Sequence, residues 1–243
     1  MTSIEFEATV QLQAHRHRPR PVESPSVGTT VVDGVFRRAL NLAVAAIGIV
    51  VAAPFMLLIA VVIKITSRGP AIYSQPRVGV DRRLDQSQGN HRRHDDLGGR
   101  PFTIYKFRTM RASPTAAEAQ MWARPDDPRV TPVGRFLRKY RLDELPQLFN
   151  VLRGDMNMVG PRPEQPRIFQ ELRAEIAHYH HRQRVLPGIT GWAQINHHYD
   201  TSVDDVRRKV AFDLEYVARR SATMDFLIMA KTVPVMVLKK GAW

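Results

Sequence analysis

From Ala39 to Ile63 the chain is apolar for 25 residues, interrupted only by Asn41, Gly48 and Pro54. A straight helix of that length measures roughly 37 Å, enough to cross the hydrocarbon of a bilayer. The 38 residues ahead of the run argue against a signal peptide. Pro54 removes one helical hydrogen bond and predicts a bend beyond the middle. Arg37 and Arg38 stand at one end, Lys64 and Arg68 at the other, so charge asymmetry cannot orient the segment. The segment is expected in the membrane, either as a kinked spanning helix or as one that enters, bends and returns to the same face.

Beyond it the pattern shortens. Ala71–Ser74 and Phe102–Phe107 alternate as short strands do, while 81–100 is polar and charged, as in an exposed loop. Helical spacing predicts helices at 133–140, 143–153, 164–184, 203–219 and 224–239. The last is apolar but broken by Lys231 and Pro234; it suits a helix packed on the core or lying on a membrane surface. The expected fold class is mainly α with a few short strands. Three regions follow: a flexible basic tail (1–35), a kinked membrane segment (36–66), and one further domain (67–243).

Charge narrows the partners. Lys and Arg number 36 against 23 Asp and Glu, a formal charge of +13 in 243 residues. Such an excess asks for a polyanion: phosphorylated substrates, an anionic membrane or nucleic acid. The run His15-Arg16-His17-Arg18-Pro19-Arg20-Pro21, next to a membrane segment, suits lipid head groups. No nucleic acid is expected, because no helix-turn-helix, zinc or stacking pattern accompanies the charge. Cysteine is absent, which removes disulfides and thiolate metal sites. His178, His180 and His181 are expected on the surface of a helix, without the spacing of a zinc site.

The candidate chemistry lies in three stretches. In Arg138-Lys139-Tyr140-Arg141-Leu142-Asp143-Glu144-Leu145-Pro146, two adjacent acids follow a cluster of cations. Acids at a helix start are common. Inside a basic, phosphate-binding environment, however, a carboxylate can attack phosphorus or hold Mg²⁺ together with phosphate oxygens. In Pro161-Arg162-Pro163 two prolines stiffen the backbone around one guanidinium, a pre-placed fork for phosphate. In Pro187-Gly188-Ile189-Thr190-Gly191-Trp192-Ala193-Gln194-Ile195-Asn196, glycines permit close backbone approach, and Gln194 and Asn196 share a face if the segment is extended. Read singly, the last two stretches look like ordinary turns.

Together with Lys106-Phe107-Arg108-Thr109-Met110, these stretches resemble the bacterial sugar transferase family, the monotopic polyprenyl-phosphate phosphoglycosyl transferases. The resemblance also takes in Ser67-Arg68-Gly69-Pro70, Arg77-Val78-Gly79, Asp127-Pro128-Arg129-Val130-Thr131 and Asp213-Leu214-Glu215-Tyr216. It runs from about Arg37 to the C-terminus. It implies a re-entrant membrane helix and a small catalytic domain, carrying amphipathic helices, on the cytoplasmic face of the bacterial inner membrane. It also implies transfer of a sugar 1-phosphate from a UDP-sugar to polyprenyl phosphate, with release of UMP, as the first step of exopolysaccharide, capsule or O-antigen assembly.

By the same resemblance Asp143 and Glu144 form a catalytic dyad. Asp143 is the nucleophile that carries the phosphosugar, with Mg²⁺ near it, and Glu144 positions the metal or handles a proton. Lys106, Arg108, Arg138, Arg162, Gln194 and Asn196 are the expected substrate and phosphate contacts. This chain departs from the family pattern at three places. Ala53-Pro54 stands for a Ser-Pro pair, Asn41 for a frequent Asp, and His198 for an arginine; a neutral imidazole there would weaken a phosphate contact.

Overall fold

The computed structural model describes residues 31–81, 99–111, 127–196 and 203–237. The basic tail before Val31, His197 and His198 fall outside them. Helix α1 runs unbroken from Val31 to Thr66 with Pro54 inside it. It starts five residues ahead of the expected boundary. From Gly34 on it is long and apolar enough to cross a membrane.

One stripe of α1 lies on the rest of the protein. Near the entrance Arg37 and Asn41 are buried, and Ala45 packs with Ile104, Leu148, Val151 and Met156. Farther along, Ile63 packs with Phe107 and Leu137, flanked by Met56, Ile59 and Ala60. The spacing of three and four residues is that of one helix face. The remaining faces leave Val50, Val51, Phe55, Leu57 and Leu58 exposed. Such a continuous apolar surface needs a cover that water cannot supply.

Polar groups fasten the entrance. Arg37 pairs with Asp225 at 2.9 Å and donates to the Tyr216 hydroxyl. Tyr216 in turn donates to Asp225 or to the Val159 carbonyl. Arg38 donates to the carbonyls of Val151 and Met156. The substitution at position 41 becomes intelligible here: Asn41 accepts from the Met158 N–H and donates to the Arg37 carbonyl. A carboxylate could not make the second bond.

Strands β1 (Ile72–Val78) and β2 (Pro101–Phe107) form an antiparallel pair, Ile72 opposite Phe107 and Val78 opposite Pro101. The first is longer than its alternation suggested. Helix α2 (Pro132–Lys139) is capped by Thr131, whose hydroxyl accepts from the Gly134 N–H, and it has proline at its start. The helix expected over 143–153 is instead two pieces. Arg141 turns left-handed (φ 54°), a 3₁₀ turn covers Leu142–Glu144, and α3 (Gln147–Arg153) begins only after Pro146. Proline has no N–H to continue a ladder from the acids.

Strand β3 (Asn157–Val159) precedes α4 (Pro166–Glu175). The segment expected to be helical to 184 breaks after Glu175: His178 is left-handed (φ 61°), and a second 3₁₀ turn spans Tyr179–Arg184. The three histidines therefore lie on a break and a tight turn, with the His181 ring 4.4 Å from that of His180. Strand β4 (Gly188–Thr190) pairs with β3 in parallel. That pairing was not read from the sequence, since three residues carry no period. It depends on glycine: a Cβ at 188 would stand 2.1 Å from the Gly160 nitrogen. Helices α5 (Trp192–Asn196), α6 (Val203–Arg219) and α7 (Ala222–Val237) complete the described chain.

Candidate active site

The tight turn after α2 carries the two acids where three elements meet. Both are buried, yet they are held differently. Glu144 Oε1 is 3.1 Å from Lys106 Nζ and 2.5 Å from an Arg162 amino group, with Arg141 at 3.9 Å. Its other oxygen accepts a second Arg162 hydrogen bond at 3.3 Å. Asp143 accepts no hydrogen bond and makes no ion pair among the described residues, although Lys106, Arg162 and Arg138 act on its charge. One acid is saturated; its neighbour is open.

Electrostatics separates them further. Burial, then the adjacent Glu144 charge, push the Asp143 carboxyl above the ordinary aspartate range, against the pull of the cations. Burial would raise Glu144 too, but Arg162 and Lys106 outweigh it and hold that carboxyl well below its ordinary value. Burial lowers Lys106, opposed by Glu144. Burial likewise lowers Arg138, opposed by Asp143.

Each cation has a local cause. Lys106 is the next-to-last residue of β2, and Asn150 fixes that strand: its amide donates to the Thr103 carbonyl and accepts the Tyr105 N–H, as a neighbouring strand would. Arg138 projects from α2 and donates through Nε to the Thr109 hydroxyl at 2.9 Å. Arg162 stands on the Pro161–Pro163 loop. Leu142 and Leu145, on either side of the dyad, pack with Ile63 and Phe107, so the acids lie at the junction with the second half of α1.

Three of the expected contacts are engaged with backbone carbonyls in this structure. Arg108 donates to the Ser67 carbonyl and hydroxyl, each at 2.9 Å, and to the Arg68 carbonyl. It satisfies the free carbonyls where α1 ends, a need common to all helices. Gly69 (φ 111°) makes room: a Cβ there would stand 2.2 Å from the guanidinium. Gln194 and Asn196 lie on the helical turn α5, not on an extended segment, so they do not share a face. Gln194 donates to the Ile189 carbonyl and Asn196 to that of Trp192.

Behind the Pro161–Pro163 loop is a buried cluster that the sequence reading did not assemble. Arg182 is 2.6 Å from Asp213 and 3.5 Å from Glu164, and Glu164 also meets Lys209 at 3.2 Å. Burial would raise Glu164, but Lys209, Arg182 and Arg77 bring it down to about 2. A depressed carboxyl stabilises the fold above its unfolded value near 4.5, and the gain is lost as pH falls through that value towards 2. The loss expected is on the order of 3 kcal/mol. Urea unfolding of wild type and Glu164→Gln at pH 6 and pH 3 checks it: the gap between them should shrink by roughly half or more at pH 3 and would close only below about pH 2.

As a metal site the arrangement is sparse. No group of three His, Asp or Glu residues gathers among the described residues. Among the described residues, Asp143 is the one buried carboxylate without a partner. That donor fits Mg²⁺ of the kind completed by substrate phosphates and water.

A buried acid pair ringed by cations, on a domain packed against one helix long and apolar enough to cross a membrane, is the arrangement that these residues build. The chain belongs to the bacterial sugar transferase family, whose model matches residues 32–239. It is 41% identical over 206 residues to the UDP-N-acetylgalactosamine-undecaprenyl-phosphate N-acetylgalactosaminephosphotransferase of Aeromonas hydrophila, covering 85% of this chain and 44% of that one. It is 38% identical over 216 residues to the undecaprenyl-phosphate glucose phosphotransferase of Komagataeibacter xylinus, covering 87% of this chain and 37% of that one. It is 39% identical over 212 residues to the UDP-glucose:undecaprenyl-phosphate glucose-1-phosphate transferase of Caulobacter vibrioides, covering 85% of this chain and 72% of that one. The chain thus spans less than half the length of the first two relatives.

Proposed function

We propose that this protein transfers a sugar 1-phosphate from a UDP-sugar to polyprenyl phosphate through a covalent intermediate on Asp143. The observation that carries this reading is the contrast within the dyad: Glu144 is tied down by Lys106 and Arg162, while Asp143 is open among the same cations. An Asp143 oxygen attacks the β-phosphorus; the bond from that phosphorus to the bridging oxygen breaks, and UMP leaves with the electron pair. A phosphate oxygen of the lipid then attacks the same phosphorus and expels the carboxylate. No net proton is required. Lys106, Arg138 and Arg162 hold the diphosphate and oppose the charge that gathers on it. Mg²⁺, held by Asp143 and the substrate's phosphate oxygens, would neutralise the diphosphate.

Helix α1 supports a re-entrant placement. Arg37 near one end and Ile63 near the other both bury against the same domain, which a helix crossing to the far side could not do. UDP-sugars are made in the cytoplasm, so the domain belongs on that face of the inner membrane, at the first step of a lipid-linked polysaccharide. The relatives' names carry both glucose and N-acetylgalactosamine, so the test is a panel of UDP-sugars. Purified protein with Mg²⁺ and undecaprenyl phosphate should release UMP with at least one of them. Without lipid, intact mass should show one phosphosugar on the protein. No Mg²⁺-dependent UMP release across the panel would end the proposal.

A further inference from the structure

We propose that Arg182 is a positioning residue that sets the Pro161–Pro163 loop and, through it, the guanidinium of Arg162; the proposal rests on the transfer reaction above. A Pro-Arg-Pro loop has lost two of its three N–H groups, so what it offers a neighbour is mostly carbonyl oxygen. Only donors can fasten it. Three donors do so from outside: the Gly188 N–H reaches the Pro161 carbonyl at 3.0 Å, an Arg182 amino group the Arg162 carbonyl at 3.0 Å, and an Arg77 amino group the Pro163 carbonyl at 3.0 Å; of these, Arg182 alone holds the residue that carries the guanidinium.

Arg182 is itself fixed. Its side chain is 4% exposed, paired with Asp213 at 2.6 Å and Glu164 at 3.5 Å, and it donates to the Tyr179 hydroxyl at 2.7 Å. Asp213 comes from α6 and Tyr179 from the second 3₁₀ turn. Glu164 closes the circle: its backbone carbonyl accepts the Val78 N–H at 3.0 Å at the end of β1. A single planar fork thus joins the loop to α6 and to the second 3₁₀ turn, and Glu164 carries the connection on to β1. A lysine keeps the charge but is a point donor on a flexible stem and cannot face all these partners at once. A phosphate-binding arginine displaced by about 1 Å costs on the order of 10²-fold in rate.

The test is a double-mutant cycle of Arg182→Lys against Arg162→Ala. It is read in kcat/KM for UMP release and in Kd for the UDP-sugar, so a slow background still reports. Arg182→Lys alone should lower kcat/KM by about 10- to 100-fold. On the Arg162→Ala background it should change kcat/KM and Kd by less than about 3-fold, because the group it acts through is gone. Equal falls on both backgrounds, or none on either, would overturn the proposal. Should Arg182→Lys not give a monodisperse, cooperatively unfolding protein, Asp213→Asn, which keeps the fork and loosens its anchor, goes through the same cycle with the same criteria. Wild-type protein inert towards every UDP-sugar removes the reaction and this proposal together. An additive cycle in an active enzyme removes the positioning role alone.

Discussion

Asp143→Asn should reduce sugar-phosphate transfer by at least about 10³-fold while leaving the protein as stable as before, or more so. On the proposed reaction, the loss in activity follows from exchanging the attacking carboxylate for an amide of the same shape. The stability expectation is less usual and comes from the site itself. Asp143 has no hydrogen bond or ion pair to lose among the described residues, and burial pushes its carboxyl upward. A group whose folded pKa is raised contributes its stability below the unfolded value and loses it as pH rises through the folded one. At pH 7 the charged form is therefore a cost to folding, and the amide relieves it. Thermal unfolding in detergent at pH 7 should give an unchanged or higher midpoint, and UMP release should vanish in the same preparation. A normal turnover rate would end the nucleophile assignment. A clearly lower midpoint would mean that Asp143 is held by partners after all.

Much of this was legible along the chain, for reasons that differ from segment to segment. The apolar run announced α1 because membrane-length hydrophobicity is a local property, and α2 and α6 announced themselves by periodicity. The dyad stood out because its acids follow four cations within a few residues. Other features depend on partners far away in the chain. Nothing along the chain tells that Arg108 also fastens the turn after α1, 40 residues upstream. Gln194 and Asn196 looked paired only on an extended backbone; the helical turn sends each to its own local carbonyl. The cluster of Arg77, Glu164, Arg182 and Asp213 is spread over four segments, and each member alone resembles a surface charge. A burial-independent signal was present, since Arg77 and Asp213 lie in stretches that match the family, but spacing could not join them.

Glu144→Ala should do what Asp143→Asn does not and unfold the site. Glu144 accepts two hydrogen bonds from Arg162 and faces Lys106 at 3.1 Å, with its own side chain 7% exposed. Deleting one partner of a buried ion pair leaves the others charged and poorly solvated, a penalty of about 3–5 kcal/mol when burial is complete. The side chains of Lys106 and Arg162 are 18% and 30% exposed, so water recovers part of it. A destabilisation of about 2–4 kcal/mol is expected, read as a lower urea midpoint with unchanged slope. Activity should fall as well, by about 10²-fold, because Arg162 loses the carboxylate that aims it. The pH dependence distinguishes this from generic core damage. Glu144 is depressed well below its ordinary value, chiefly by Arg162 once burial is overcome, so its contribution is fully present above about pH 4.5 and disappears only as pH falls through the folded value. Compared in an Asp143→Asn background, where the neighbouring carboxyl no longer titrates, the proteins with Glu144 and with Glu144→Ala should therefore stay equally far apart from pH 8 to pH 5. A gap that narrows within that range would mean that the cations are held by something other than this carboxylate. Neighbouring acids with opposite effects on stability are what the proposed reaction requires of a fixed anchor beside an open carboxylate.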